Sequence, residues 1–104
     1  MTAMREDQEI ALLTAQKIRR QILRLLLIAG PDMGSNEKML VIALQSMGFP
    51  VLTHEVRRHL DYLEGLNLIS VIDRDRSVWA ATITPAGTDV LEGAVKPPPG
   101  VAKD

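Results

Sequence analysis

From residue 8 to residue 29, apolar side chains recur at Ala11, Ala15, Ile18, Ile22, Leu25 and Ala29, in alternating steps of four and three. That spacing lines one face of an α-helix. Leu26 and Ile28 widen the face in its second half, and Gly30-Pro31 ends it, because glycine suits the position after a helix and proline cannot continue the hydrogen-bond ladder. A second helix is expected after Asn36, a good N-cap, with Glu37 favourable in its first turn, an inward face of Met39, Leu40, Ala43, Leu44 and Met47, and an end at Gly48. Pro50 biases Phe49 toward an extended backbone and so separates this helix from the next. The third helix is expected to take Thr53 as N-cap and run to about Leu66, with Val56, Leu60 and Leu63 turned inward. At 100° per residue its opposite face carries His54, Arg58, Asp61 and Gly65, flanked by Arg57 and Tyr62. Asn67 stands where the chain must leave the helix left-handed.

Beyond Asn67 the period changes to two. Residues 68–73 and 78–83 are rich in β-branched side chains, with Ile69 and Val71 alternating on one strand and Trp79, Ala81 and Ile83 on the other, around the polar turn Arg74-Asp75-Arg76-Ser77. Trp79 is expected to plug the core with its indole nitrogen near the surface, and Phe49 to pack under the turn between helices. Thr84-Pro85 starts a short helix that fades by Gly93, and Pro97-Pro98-Pro99-Gly100 reads as a polyproline-like tail without a core of its own.

A chain of 104 residues with 46% hydrophobic content supports one small domain. The absence of cysteine excludes disulfides and thiolate metal sites and permits a reducing compartment, so a cytoplasmic setting is expected. The most apolar run, Ile22 to Ala29, is interrupted by Arg24 and is too short for a membrane span, and the N-terminus lacks the basic-then-apolar order of a signal peptide.

A net charge of −1 argues against coating nucleic acid by bulk attraction, so any such contact has to be local. Eight arginines against four lysines fall in clusters at Arg19-Arg20, Arg57-Arg58 and Arg74/Arg76. These are either groups for bidentate phosphate or guanine contacts or simply solvated positions. Between Thr53 and Ser77, four arginines face five acids, a balance that also suits a protein-binding module. His54-Glu55 and His59 do not make a zinc-peptidase motif, which needs histidines four apart on one helical face; these are five apart. Neither a phosphate-binding glycine loop nor a nucleophile is evident, so a non-enzymatic protein without cofactor or metal is expected.

The order helix, helix, helix, hairpin, helix resembles winged-helix regulators of the MarR, ArsR and PadR type. The matching residues are Val56, Leu60, Leu63-Glu64 and Leu68-Ile69, then Ile83-Thr84-Pro85-Ala86-Gly87 at the end of the hairpin, with Asn67 where those families carry glycine. A closer likeness is to small winged-helix proteins of Mu-like phages and prophages. It spans roughly Ile18 to Val101 through Arg20-Gln21-Ile22-Leu23, Asn36, Ala81-Thr82-Ile83-Thr84, Gly87, Asp89-Val90 and Pro99-Gly100-Val101. The resemblance implies a mostly α fold with a small β-hairpin: a winged helix-turn-helix (18–93) with an extended N-terminal helix (1–17) and a proline-rich tail (94–104). It also implies a phage or prophage transcriptional regulator that places its third helix in the major groove. Thr53, His54, Arg58 and Asp61 are then expected at or near base edges, Arg57 and Tyr62 at phosphates, and Arg74 and Arg76 on the flanking backbone. The alternative is an interaction or phage-assembly module that binds a phage or host protein without DNA. Ile10, Leu12 and Leu13 either pack on the domain's flank or pair with another chain, a homodimer through the N-terminal helix being the natural form.

Overall fold

A computed structural model describes residues 2–103, with side chains from Arg5 onward; Met1 and Asp104, the ends of the expected extension and tail, lie outside the described residues. The elements are α1 (Thr2–Ala29), β1 (Ser35–Asn36), α2 (Glu37–Ser46), α3 (Thr53–Gly65), β2 (Ile69–Ile72), β3 (Ala80–Ile83) and α4 (Pro85–Glu92). The protein is therefore mainly helical, with a small antiparallel sheet in the order β1-β3-β2. Among the described residues no helix is long and apolar enough to cross a membrane.

Helix α1 is the axis around which the rest assembles. Its buried side chains are Ile18, Ile22, Leu23 and Leu26, together with Arg20: the expected face holds at Ile18, Ile22 and Leu26 and extends to Leu23, whereas Ala11 and Ile28 are exposed. The buried face reaches Leu23 and Arg20 because α1 is contacted by α2, α3, β3 and α4 and, through Arg20, by Ala102 of the C-terminal segment. Leu40 and Leu44 of α2, Val51 before α3, Val56, Leu60 and Leu63 of α3, Leu68, Ile69, Ala81, Ile83, Val90 and Val101 complete the core. Val101 belongs to that core, and Ala102 N–H donates to Gln16 O at 3.2 Å, so the proline-rich segment lies against the domain.

Helix α2 departs from its expected face. Its buried line is Glu37, Leu40 and Leu44, while Met39 and Met47 are exposed. A carboxylate thus occupies the first inward position. Asn36 caps the helix by accepting Met39 N–H at 2.9 Å. Helix α3 begins one residue earlier than expected: Leu52 is the N-cap and Thr53 the first helical residue. Leucine has no acceptor to offer, so only the reciprocal half of a capping box forms, in which the Glu55 carboxylate accepts Leu52 N–H at 3.0 Å. Asn67 leaves α3 at φ 60°, as its position requires.

The strand β1 carried no periodic signal, being two polar residues. It forms because Ser35 and Asn36 pair with Ala81 and Ala80, and because Gly34, at φ +64°, lets the chain approach β3 where a Cβ would overlap the Ala81 carbonyl oxygen. The hairpin register sets Ile69 opposite Ile83 and Val71 opposite Ala81, which turns these side chains toward α1 and α3. Thr84 then closes it: its hydroxyl donates to Asn67 O at 2.7 Å and accepts Gly87 N–H at 3.2 Å, with Pro85 at the first helical position. A Cβ at Gly87 would overlap the Leu68 carbonyl oxygen, so this seam admits only glycine. Gly87→Ala is expected to lower stability by about 1–3 kcal/mol through overpacking, and Thr84→Ala by about 1 kcal/mol through loss of the cap. Urea unfolding of the two variants checks both, and an unchanged midpoint for Gly87→Ala would contradict the close approach.

Candidate functional site

The outward face of α3 and the hairpin beside it hold all eight residues expected at a partner surface. Their fixed point is a buried acid. Glu37, 2% exposed at the start of α2, receives Arg57 Nε on Oε2 at 2.6 Å and Arg57 Nη2 on Oε1 at 2.7 Å, a bidentate pair. Oε1 also accepts Trp79 N–H at 3.0 Å, and Glu37 N–H donates to Trp79 O at 2.8 Å, so the residue is tied to the strand side on both its backbone and its side chain. The Arg57 hydrogen bonds hold the Glu37 carboxyl below its ordinary range against the opposing effect of burial, with the Trp79 N–H assisting. Arg57 Nη2 reaches Ser77 O as well, at 2.9 Å. One arginine thereby joins α2, α3 and the hairpin.

A second arginine repeats the device from the hairpin side. Arg74 meets Asp61 at 2.8 Å and Glu64 at 2.6 Å on α3, and the other Glu64 oxygen accepts Val71 N–H at 2.6 Å. The Val71 N–H, then Arg74, hold the Glu64 carboxyl below its ordinary range. Trp79 is half-buried rather than a core plug, with the Arg57 and Arg74 guanidiniums 4.7 and 4.5 Å from its ring centroid.

Tyr62, expected to reach a phosphate, belongs to a different cluster. Its hydroxyl donates to Pro99 O at 2.8 Å, and its ring carries the Arg19 guanidinium at 3.8 Å from the centroid. Arg19 also donates to Gly100 O at 3.0 Å and, through Nε, to His59 Nδ1 at 3.2 Å. Burial first, and the Arg19 charge second, push the His59 pKa down to about 4, so the ring is neutral and accepts at Nδ1. This cluster fastens the proline-rich segment to α1 and α3.

Four of the eight residues are thus engaged inside the chain: Arg57, Asp61, Tyr62 and Arg74. Partners within the fold satisfy groups that the face pattern alone directed outward. The other four remain available. Thr53, His54 and Arg58 are exposed on the N-terminal half of α3 and make no side-chain hydrogen bond or ion pair among the described residues. Arg76, 75% exposed in the hairpin turn, has only a loose contact with Asp73 at 3.6 Å. Asp61 and Glu64 lie in the C-terminal half of α3 and are bound to Arg74; in the N-terminal half Arg58 is exposed and Glu55 accepts the Leu52 N–H of the cap, while Asp73 and Asp75 stand with Arg76 in the hairpin turn.

Sequence reasoning missed Glu37, Glu64, Trp79 and Arg19 as organising residues. Glu37 had one legible signal, the inward spacing 37-40-44, which the cap reading of the first turn obscured. Comparison of the chain with protein-family models, with curated proteins and with solved structures finds no match.

The two halves of the Glu37–Arg57 pair are not equivalent. Removing Arg57 leaves a buried carboxylate without its counter-charge, whereas removing Glu37 leaves a guanidinium that can turn to water. Arg57→Met is therefore expected to lower the melting temperature more than Glu37→Met, and the double variant less than Arg57→Met; calorimetry of the three checks the ordering. For His59, the unfolded imidazole takes its proton near pH 6.5 and the folded one near 4, so the unfolded chain binds the extra proton in between and stability falls as pH drops through that window. His59→Gln, which keeps an acceptor for Arg19, is expected to flatten thermal stability between pH 6.5 and 4.5, leaving the decline below it to Glu37 and Glu64. An unaltered pH profile would contradict the neutral His59.

Proposed function

We propose that the protein is a winged helix-turn-helix DNA-binding protein, with α2 and α3 as the helix-turn-helix, the β2–β3 hairpin as the wing and α3 as the recognition helix. Regulation of phage or prophage transcription is the role that fits the resemblance of its sequence. The observation that carries the reading is the group of exposed side chains without internal partners at the start of α3. Its N-terminal half, the part that meets base edges in this class of motif, offers Thr53, His54 and Arg58 without internal partners, and the positive end of the helix dipole lies there too. Of the acids on α3, Asp61 and Glu64 sit further along and are bound to Arg74, and Glu55 is turned to the cap, where its carboxylate accepts Leu52 N–H.

In this reading Arg58 and His54 contact the major groove or its phosphates, and Arg76 on the wing meets the flanking backbone. Arg57 and Arg74 act one step behind, fixing the angle between α3 and wing through α2 and Trp79. Rigid placement of the two contact elements lets a small number of free bases suffice. A second reading, a protein-binding winged helix, is favoured by the apolar side chains Met39, Ile42, Met47 and Leu52 exposed on α2 and the connection to α3.

Fluorescence anisotropy with duplex DNA between low and physiological salt tests the choice. Binding is expected to weaken steeply as salt rises, and Arg58→Ala and Arg76→Ala each to lower affinity, a lost phosphate contact flattening the log–log salt slope by about one. Failure of the folded protein to bind any duplex saturably at low salt rejects the DNA reading and favours the second.

A further inference from the structure

Helix α1 extends well beyond the domain it anchors. Among the described side chains the first buried one is Ile18, and Thr14 to Gln16 are half-buried against the domain, so about three turns stand clear of it, and within them Ile10, Leu12 and Leu13 are 61%, 64% and 56% exposed. An isolated helical arm of this kind gains little from exposed isoleucine and leucine unless they are covered.

The positions on the side away from the core have an internal order. At 100° per residue, Glu6, Ile10, Leu13 and Lys17 fall within about 60° of one another, at steps of four, three and four, and all four are exposed. The same side continues past them to the exposed Arg24 and Ile28, opposite the buried Ile22 and Leu26. It is a coiled-coil seam of two apolar positions bracketed by an acid at the N-terminal end and a base at the C-terminal end. Neither Glu6 nor Lys17 has an ion-pair partner among the described residues.

We propose that this stripe is the contact between two copies of the chain, whose α1 arms pair antiparallel about a two-fold axis between Ala11 and Leu12. The stripe is complementary to itself only in that arrangement. Ile10 of each copy meets Leu13 of the other, and Glu6 of each meets Lys17 of the other, because both pairs of numbers have the same sum. A parallel pair in register sets Glu6 against Glu6 and Lys17 against Lys17. The apolar residues provide the attraction; the charges, each worth little on an exposed helix, select the direction. A two-fold contact of this kind is isologous and closes at two copies. The overlap is about 16 Å of helix, which places the interface among the small, reversible ones. It does not depend on whether the partner of α3 is DNA.

Sedimentation equilibrium of the full-length chain across a wide concentration range tests the proposal, with circular dichroism to show that each variant keeps its fold. The substitutions lie outside the core. The wild-type chain is expected to reach a dimer and no larger species, and Ile10→Ser with Leu13→Ser to raise the dissociation constant about tenfold or more. Glu6→Lys alone and Lys17→Glu alone should each weaken the dimer, and the two together should restore it. The chain has no cysteine of its own. Mixing Glu6→Cys chains with Lys17→Cys chains under mild oxidation should therefore yield the mixed disulfide in preference to either homodisulfide. A monomer at every concentration overturns the proposal. So does a dimer indifferent to the Ile10 and Leu13 substitutions, or one in which the double charge exchange is no better than the singles, or one that forms Glu6→Cys homodisulfides preferentially.

Discussion

The carboxylate of Glu37 is the constraint on which the arrangement of the other elements rests. A buried acid is unfavourable by itself, and here the desolvation is offset by two charge-assisted bonds from Arg57 and one from the Trp79 backbone. Those three bonds come from α3 and from the residue preceding β3. Apolar packing alone would allow α3 and the hairpin to slide against α2, since leucines and isoleucines repack at small penalty. A bidentate fork does not slide. The pair therefore contributes less to net stability than to a defined angle between helix and hairpin, and Arg74, bridging Asp61 and Glu64 and also placed over the Trp79 ring, adds a second restraint at the hairpin.

Internal pairing changes how the charge count along α3 and the hairpin is read. Four arginines against five acids looks unfavourable for contact with phosphates if every group is treated as free. Once Arg57 is assigned to Glu37, and Arg74 to Asp61 and Glu64, what remains is Arg58 beside the capping Glu55 at the start of α3, and Arg76 with Asp73 and Asp75 in the hairpin turn, so these two arginines stand apart from the acids that hold the hairpin. Arg57 and Arg58 show the difference most plainly: adjacent in the chain, 100° apart on the helix, one fixed inside the fold and one exposed.

The elements were largely legible because each had a local cause. Thr84-Pro85, Asn36 and Asn67 act through their own backbone, and Val56, Leu60 and Leu63 declare their face by spacing. What was not legible depended on groups far apart in sequence. Nothing near Glu37 announces Arg57, twenty residues on, and the cap reading of its first turn was the stronger local signal. Strand β1 is too short to have a period and exists through β3. The docking of Pro99 to Ala102 depends on Arg19, Arg20 and Tyr62, which sequence patterns assigned to unrelated surfaces. At the site the outward face of α3 was read correctly as a face, but a face pattern does not tell which of its charges find partners within the fold.

The central claim is that the ion pairs hold α3 and the hairpin rigid while leaving the N-terminal half of α3 to a nucleic-acid partner. Titration of the isotopically labelled protein with duplex DNA at low salt, followed through backbone amide and arginine Nε–H resonances, addresses both parts at once. The account predicts shifts concentrated at Thr53, His54, Arg58 and Arg76, with the Arg57 Nε–H slow to exchange and little moved from the free to the bound state. Shifts centred on Met39 and Ile42, no shifts at all, or an Arg57 Nε–H that exchanges freely in the unbound protein would contradict it.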